Sequence, residues 1–137
     1  MQSAREGNTV VVKLDDGEDL FSSLESVAAK EGFTSGTIVA GIGMLRDAEI
    51  GFYDGKEYQN QTVEGPVELL SLLGSIAGTI HIHCILGMPD HTAIGGHLQK
   101  ATVCVLNEIT VQATDEIVLG RELNPASGLH EMTVARK

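Results

Sequence analysis

Residues 79–113 read "TIHIHCILGMPDHTAIGGHLQKATVCVLNEITVQA", and four of the chain's five histidines fall between His81 and His97. The stretch opens on alternation. Side chains on a strand face opposite ways in turn, so His81 and His83 share one face while Ile80, Ile82 and Cys84 share the other. The Cβ atoms of two such histidines lie roughly 6.5–7 Å apart, twice the strand rise. Imidazoles at that separation can converge on one ion at Zn–N distances of about 2.0–2.1 Å. The same spacing also suits an ordinary polar strand face, so the pair alone does not define a site. Cys84 points away from it in a regular strand. A third ligand has to come from elsewhere, and His97 is the leading choice: Gly95-Gly96 lets the backbone approach closely, and His97 opens the next strand. His91 sits in a polar "MPDH" loop and His130 is remote in sequence; both read as surface residues.

Around this stretch the chain is mostly strands. "TVVVKL" at 9–14 is β-branched, and residues 1–8 read as a flexible N-terminus. "TSGTIVAGIG" (34–43), "LRDAEIGFY" (45–53), "YQNQTV" (58–63), "GPVELLSLLGSIAG" (65–78), 79–87 and 101–113 follow as strands, and "LHEMTVA" (129–135) closes the sheet. "DGKE" at 54–57 is hairpin-turn chemistry. One segment differs. From Glu18 to Lys30 the apolar residues Leu20, Leu24, Val27 and Ala28 fall at helical spacing, with Phe21 widening the stripe. Asp15 or Asp16 can cap this helix, acidic residues crowd its start, and Gly32 sits where a left-handed terminator belongs. The fold class is therefore α+β, a mostly antiparallel sheet packed against one main helix, in a single domain over residues 1–137.

Composition narrows the function. Hydrophobic residues are 42% and charged residues 20%, which is globular, and with 4% aromatics and no Trp the core must rest on Val, Ile, Leu and Ala. Nineteen acidic residues against nine basic ones give a formal charge of −10. The basic residues are scattered, whereas duplex DNA binding draws on clustered Lys and Arg. Direct DNA binding is therefore disfavoured. The N-terminus lacks the apolar run of a signal peptide, and no stretch reaches the ~18 apolar residues of a membrane span. Cys84 and Cys104 lie in apolar strand-like runs without CxxC pairing and read as buried thiols of a reducing compartment, the cytoplasm.

"GPVELLSLLGSI", "HIHCILG" and "AIGGHLQKATVCVLNEITV", in that order, resemble the PPC domain, a family shared by plants and prokaryotes. The likeness runs from "GIGMLRDAEIGFY" to "GLHEMTV". It implies one main helix against an antiparallel sheet, assembly as a homotrimer, and convergence of His81, His83 and His97, since prokaryotic members are known with metal at this cluster. Plant members carry AT-hooks that bind the DNA minor groove. This chain has no Arg-Gly-Arg-Pro core, and the DNA-binding label attached to the family by association does not follow for it.

Three neutral imidazoles with an open position suit Zn²⁺, while Fe, Ni and Cu also accept such ligands. Glu68 and Glu108 are the carboxylates nearest the motifs and are candidates to orient a ligand or act as a base, and Arg46 is a candidate anion-binding residue. Each also reads as a solvated or salt-bridged strand residue. Ser71 has no local His partner. The favoured reading is a trimeric metal-binding module for an unknown small molecule or protein. A small metal-dependent enzyme of hydrolase or lyase type is the alternative, and a DNA-associated or transcriptional scaffold the third.

Overall fold

The computed structural model covers residues 1–137 and contains nine strands and one helix: β1 (Gln2–Glu6), β2 (Thr9–Asp15), α1 (Leu20–Glu31), β3 (Ser35–Tyr53), β4 (Tyr58–Val63), β5 (Val67–Ala77), β6 (Thr79–Gly87), β7 (Ala93–Ala113), β8 (Ile117–Asn124) and β9 (Leu129–Arg136). Seven strands form an antiparallel sheet in the order β1-β2-β7-β6-β5-β3-β4, and β3 also pairs with β7. The second pairing closes β3, β5, β6 and β7 on themselves, a small barrel that leaves no free edge among those four strands. Inside it lie Leu45, Leu69, Leu72, Ile82, Leu86, Leu98 and Val103, each at most 2% exposed.

Closure depends on bending. The segments expected as separate strands at 34–43 and 45–53 are one strand, β3, whose register with β7 shifts at Ile38/Ala40, Gly43/Met44 and Arg46/Glu49. Each irregularity lets the strand turn and change partner without ending. β7 likewise begins at Ala93 rather than at Ala101, because Ala93–Leu98 continues the ladder with β6.

Helix α1 buries Leu20, Leu24, Val27 and Ala28, the stripe its spacing dictates. Burial of each of the Leu and Val side chains contributes about 1.5–3 kcal/mol relative to exposure. Its cap is Asp19, whose carboxylate accepts from the Ser22 amide at 2.8 Å, and no acidic residue lies in the first turn. The two expected caps are otherwise engaged: Asp15 ends β2 and pairs with Lys13, while Asp16 accepts from Arg46 at 2.8 Å and from the Val105 amide at 2.9 Å. Gly32 closes the helix at φ 72°, as its position requires.

Two ends of the chain depart from the sequence reading. Residues 1–8 are not a loose end, because Gln2–Glu6 zips onto β2 in full register, from Gln2↔Lys13 to Glu6↔Thr9. Residues 129–135 do not close the main sheet. They pair instead with β8, unforeseen at 117–124, in a two-stranded ribbon of their own. Cys84 is buried, whereas Cys104 is only half-buried. No helix is long and apolar enough to cross a membrane.

Candidate metal centre

The site grows from the β5–β6–β7 ladder. Ile82 and Cys84 face the core at 0% and 4% exposure, so His81 and His83 face outward, as alternation demands. His83 is the direct register partner of His97 on β7. Directly opposed residues bring their Cβ atoms to about 4.5–5.5 Å, so this ladder delivers the third imidazole. Gly95 and Gly96 make the approach possible. A Cβ at Gly96 would stand 2.7 Å from the Gly51 carbonyl oxygen on β3, and one at Gly95 would stand 2.8 Å from that of Cys84.

The three rings form a compact triangle, with centroids 5.1 Å (His81–His83), 4.9 Å (His81–His97) and 5.4 Å (His83–His97) apart. One nitrogen from each ring lies within 4.8 Å of those of the other two. His81 Nε2 and His83 Nε2 are 3.2 Å apart. Two nitrogens each about 2.0–2.1 Å from a tetrahedral ion stand roughly 3.3 Å apart, so this pair already has the spacing of co-ligands. His97 Nδ1 is buried with no protein partner. Three neutral donors of this kind fit a divalent transition metal.

The electrostatics favour neutral rings at His81 and His97. Burial, then the positive charge of Arg121, then His97 and His83, push His81 down to about 4 from an ordinary 6.5. His97 is lowered too, by burial first and then by His83 and Arg121. A neutral imidazole is the form that binds metal.

Three neighbours of the cluster escaped the sequence reading. Ser75, the register partner of His81, and Arg121 on β8 are joined by a 2.8 Å hydrogen bond from Nη2 to Oγ, and the same Nη2 lies 2.9 Å from His81 Nδ1. Tyr58 on β4 packs its ring 5.0 Å from that of His97. Ser75 could have been found by counting back from the Gly78 turn, whereas nothing local marks Arg121. Beside the cluster opens a cleft of about 440 Å³, lined among others by His81, His97, Tyr58, Arg121 and Glu131.

The other candidates lie elsewhere. Glu68 is exposed opposite Gly87, roughly 20 Å along β5 from the partner of His81. Glu108 is exposed opposite Lys13 and Ile42, far along β7 from His97. Arg46 is committed to Asp16 at 2.8 Å. None belongs to the cluster, because closeness to a motif along a strand still leaves a full strand length between residues. His91 is exposed in its loop at φ 67°, and His130 is exposed on β9.

A one-helix antiparallel domain whose outer sheet face gathers three imidazoles is the class that this fold and site define. The chain belongs to the Plants and Prokaryotes Conserved (PCC) domain family, which matches residues 1–115. Among solved structures it is similar to a metal-containing protein from Archaeoglobus fulgidus, 30% identical over 93% of this chain and 94% of that one, with a TM-score of 0.82. It is also similar to a plant- and prokaryote-conserved protein from Pyrococcus horikoshii (28% identity, 94% and 91% coverage, TM-score 0.77). A protein from Bacteroides thetaiotaomicron described as a candidate DNA-binding protein is 26% identical over 96% of both chains, with a TM-score of 0.87. Comparison with curated proteins finds no match.

Proposed function

We propose that this protein is a homotrimeric metal-binding module whose ion is held by His81, His83 and His97, with Zn²⁺ the best fit to three neutral imidazoles. The observation that carries the reading is the 3.2 Å separation of His81 Nε2 and His83 Nε2, with His97 brought in as the register partner of His83. The metal-containing relative from Archaeoglobus supports it. The trimer is supported by outward apolar side chains beside the cluster: Leu73, register partner of His83, is 51% exposed, and Ile85, next on the same face, 47%. Two free thiols suit a reducing compartment such as the cytoplasm.

The test is metal analysis of protein purified without a histidine tag, before and after addition of Zn²⁺. Close to one ion per chain is expected, with a rise in melting temperature on loading and loss of both in His83→Ala. Occupancy below about a tenth with no stabilisation by added Zn²⁺ rejects the reading.

The open cleft favours a second reading, a metal-dependent enzyme of hydrolase or lyase type acting on a small molecule. An ion at such a centre acidifies bound water or polarises a carbonyl. A chelator-sensitive activity lost in His83→Ala would establish it; a broad substrate screen without one would count against it. The DNA-binding description of the Bacteroides relative does not extend to this chain on charge grounds, since the formal net charge is −10. No gel retardation is expected at physiological salt, and a salt-dependent shift would reverse that view.

A further inference from the structure

Arg121 is a cation without a counter-ion. Its Nη2 meets only neutral acceptors, Ser75 Oγ at 2.8 Å and His81 Nδ1 at 2.9 Å. Its Nη1 reaches the His130 carbonyl at 3.5 Å, and its Nε is buried with no partner. Glu131 lines the same cleft but accepts from Ser127. With nineteen acidic residues against nine basic ones, a half-buried guanidinium left unpaired is an exception in this chain. Holding a cation out of water without an opposite charge costs stability, and an anion arriving from outside would remove that cost.

The hydrogen bond to His81 gives the site a condition. A guanidinium only donates, so His81 Nδ1 accepts, and the neutral ring carries its proton on Nε2, facing His83 Nε2. His81 can offer Nε2 as a ligand only with that proton relocated to Nδ1, which leaves the charge of the ring unchanged. An Nδ1–H cannot accept from Arg121. Ligation through His81 Nε2 and the Arg121–His81 hydrogen bond therefore exclude each other. Once His81 is a ligand, Nη2 regains a free N–H beside an Nε–H that already lacks a partner. Those two form one edge of the guanidinium, the fork that grips carboxylate or phosphate with two parallel bonds.

We infer that Arg121 is an oxyanion-binding residue gated by the metal centre: with His81 engaged as a ligand, its Nε/Nη2 edge holds a small carboxylate or phosphate in the cleft beside the three histidines. The inference rests on the three-histidine metal reading and names its substrate class. Arg121 comes from the C-terminal ribbon, beyond residues 1–115 that the family model matches.

The test uses the full chain, its zinc content measured first, titrated calorimetrically with oxalate and with inorganic phosphate in separate runs. Zinc-loaded wild type is expected to bind at least one probe, with metal-free protein on the order of tenfold weaker or more. Zinc-loaded Arg121→Met should lose on the order of tenfold or more while keeping its zinc, and should take up zinc at least as tightly as wild type. If Arg121→Met does not fold, Arg121→Lys carries the test, with several-fold weaker binding expected from loss of the fork. A preference for oxalate identifies a carboxylate ligand, and a preference for phosphate a phosphoryl one. Undiminished binding in the variant that folds, equal binding by metal-free wild type, or no binding of either probe at about 10 mM overturns the inference and leaves the metal reading standing. Zinc content below about a tenth of sites overturns both.

Discussion

His83 and His97 face each other as direct partners across the β6–β7 ladder, their rings 5.4 Å apart and nearly perpendicular at 89°. Backbone hydrogen bonding of two strands thus sets their separation, and His81 joins them as the next residue on the same face of β6. A cluster built on strands is held more firmly than one built on loops. It is therefore organised before any ion arrives.

That organisation makes the metal-free protein acid-sensitive. His81 is held near 4 when folded against 6.5 when free, mainly by burial and Arg121, and His97 moves in the same direction. Well above pH 6.5 both states are neutral at His81 and its contribution to pH dependence vanishes. As pH falls from 6.5 towards 4 the unfolded chain takes up a proton that the folded chain does not, so stability drops across that window. Thermal unfolding of chelator-treated protein should show the decline, and His81→Gln should flatten it. A wild-type profile no steeper than that of His81→Gln would contradict the shift.

At Gly96 the β7 backbone lies close against Gly51 of β3, the register partner of His97. In Gly96→Ala the new methyl would lie 2.7 Å from the Gly51 carbonyl oxygen, so β3 or β7 must move. A loss of about 1–3 kcal/mol is expected in denaturant unfolding, together with weaker metal uptake because His97 shifts with its strand. Full stability would show that the strands have slack there.

Asn107 is fully buried on β7, and its Nδ2 donates to the carbonyls of Met44 (3.0 Å) and Leu106 (2.8 Å) where the β3–β7 register slips. Asn107→Ala would strand both acceptors. A cost of about 1–3 kcal/mol is expected, with metal binding little changed, since the slip lies away from the histidines. Equal stability of the two proteins in urea would rule out that role.

Leu73 and Ile85 flank His83 on the outer face. If a second and third copy cover that face, sedimentation should show trimers for wild type and smaller species for Leu73→Glu. A wild-type monomer at high concentration would remove the trimer.

Much of this was legible in the chain because β6 alternates strictly: "TIHIHC" placed both histidines on one face and Cys84 on the other, and the glycines before His97 marked the close approach. Helix α1 was equally clear from its apolar spacing, although the acidic run at 15–19, "DDGED", hid that Asp19 and not Asp15 or Asp16 caps it. What stayed illegible was long-range. Gln2–Glu6 has no apolar signature and becomes a strand only because β2 offers an edge. Arg121 reaches His81 from a ribbon whose position no local pattern encodes. Glu68 and Glu108 stood out by proximity to motifs, yet on extended strands the seven to eleven residues between them and the cluster amount to roughly 20–40 Å.

In the function proposed above, His81, His83 and His97 together hold one metal ion. Anomalous scattering from crystals of untagged protein, grown without chelator and measured across the zinc edge, tests it most directly. A single peak within about 2.0–2.3 Å of one nitrogen from each of the three histidines is expected. No peak there, even after soaking in Zn²⁺, or a peak bound by other residues, would contradict it.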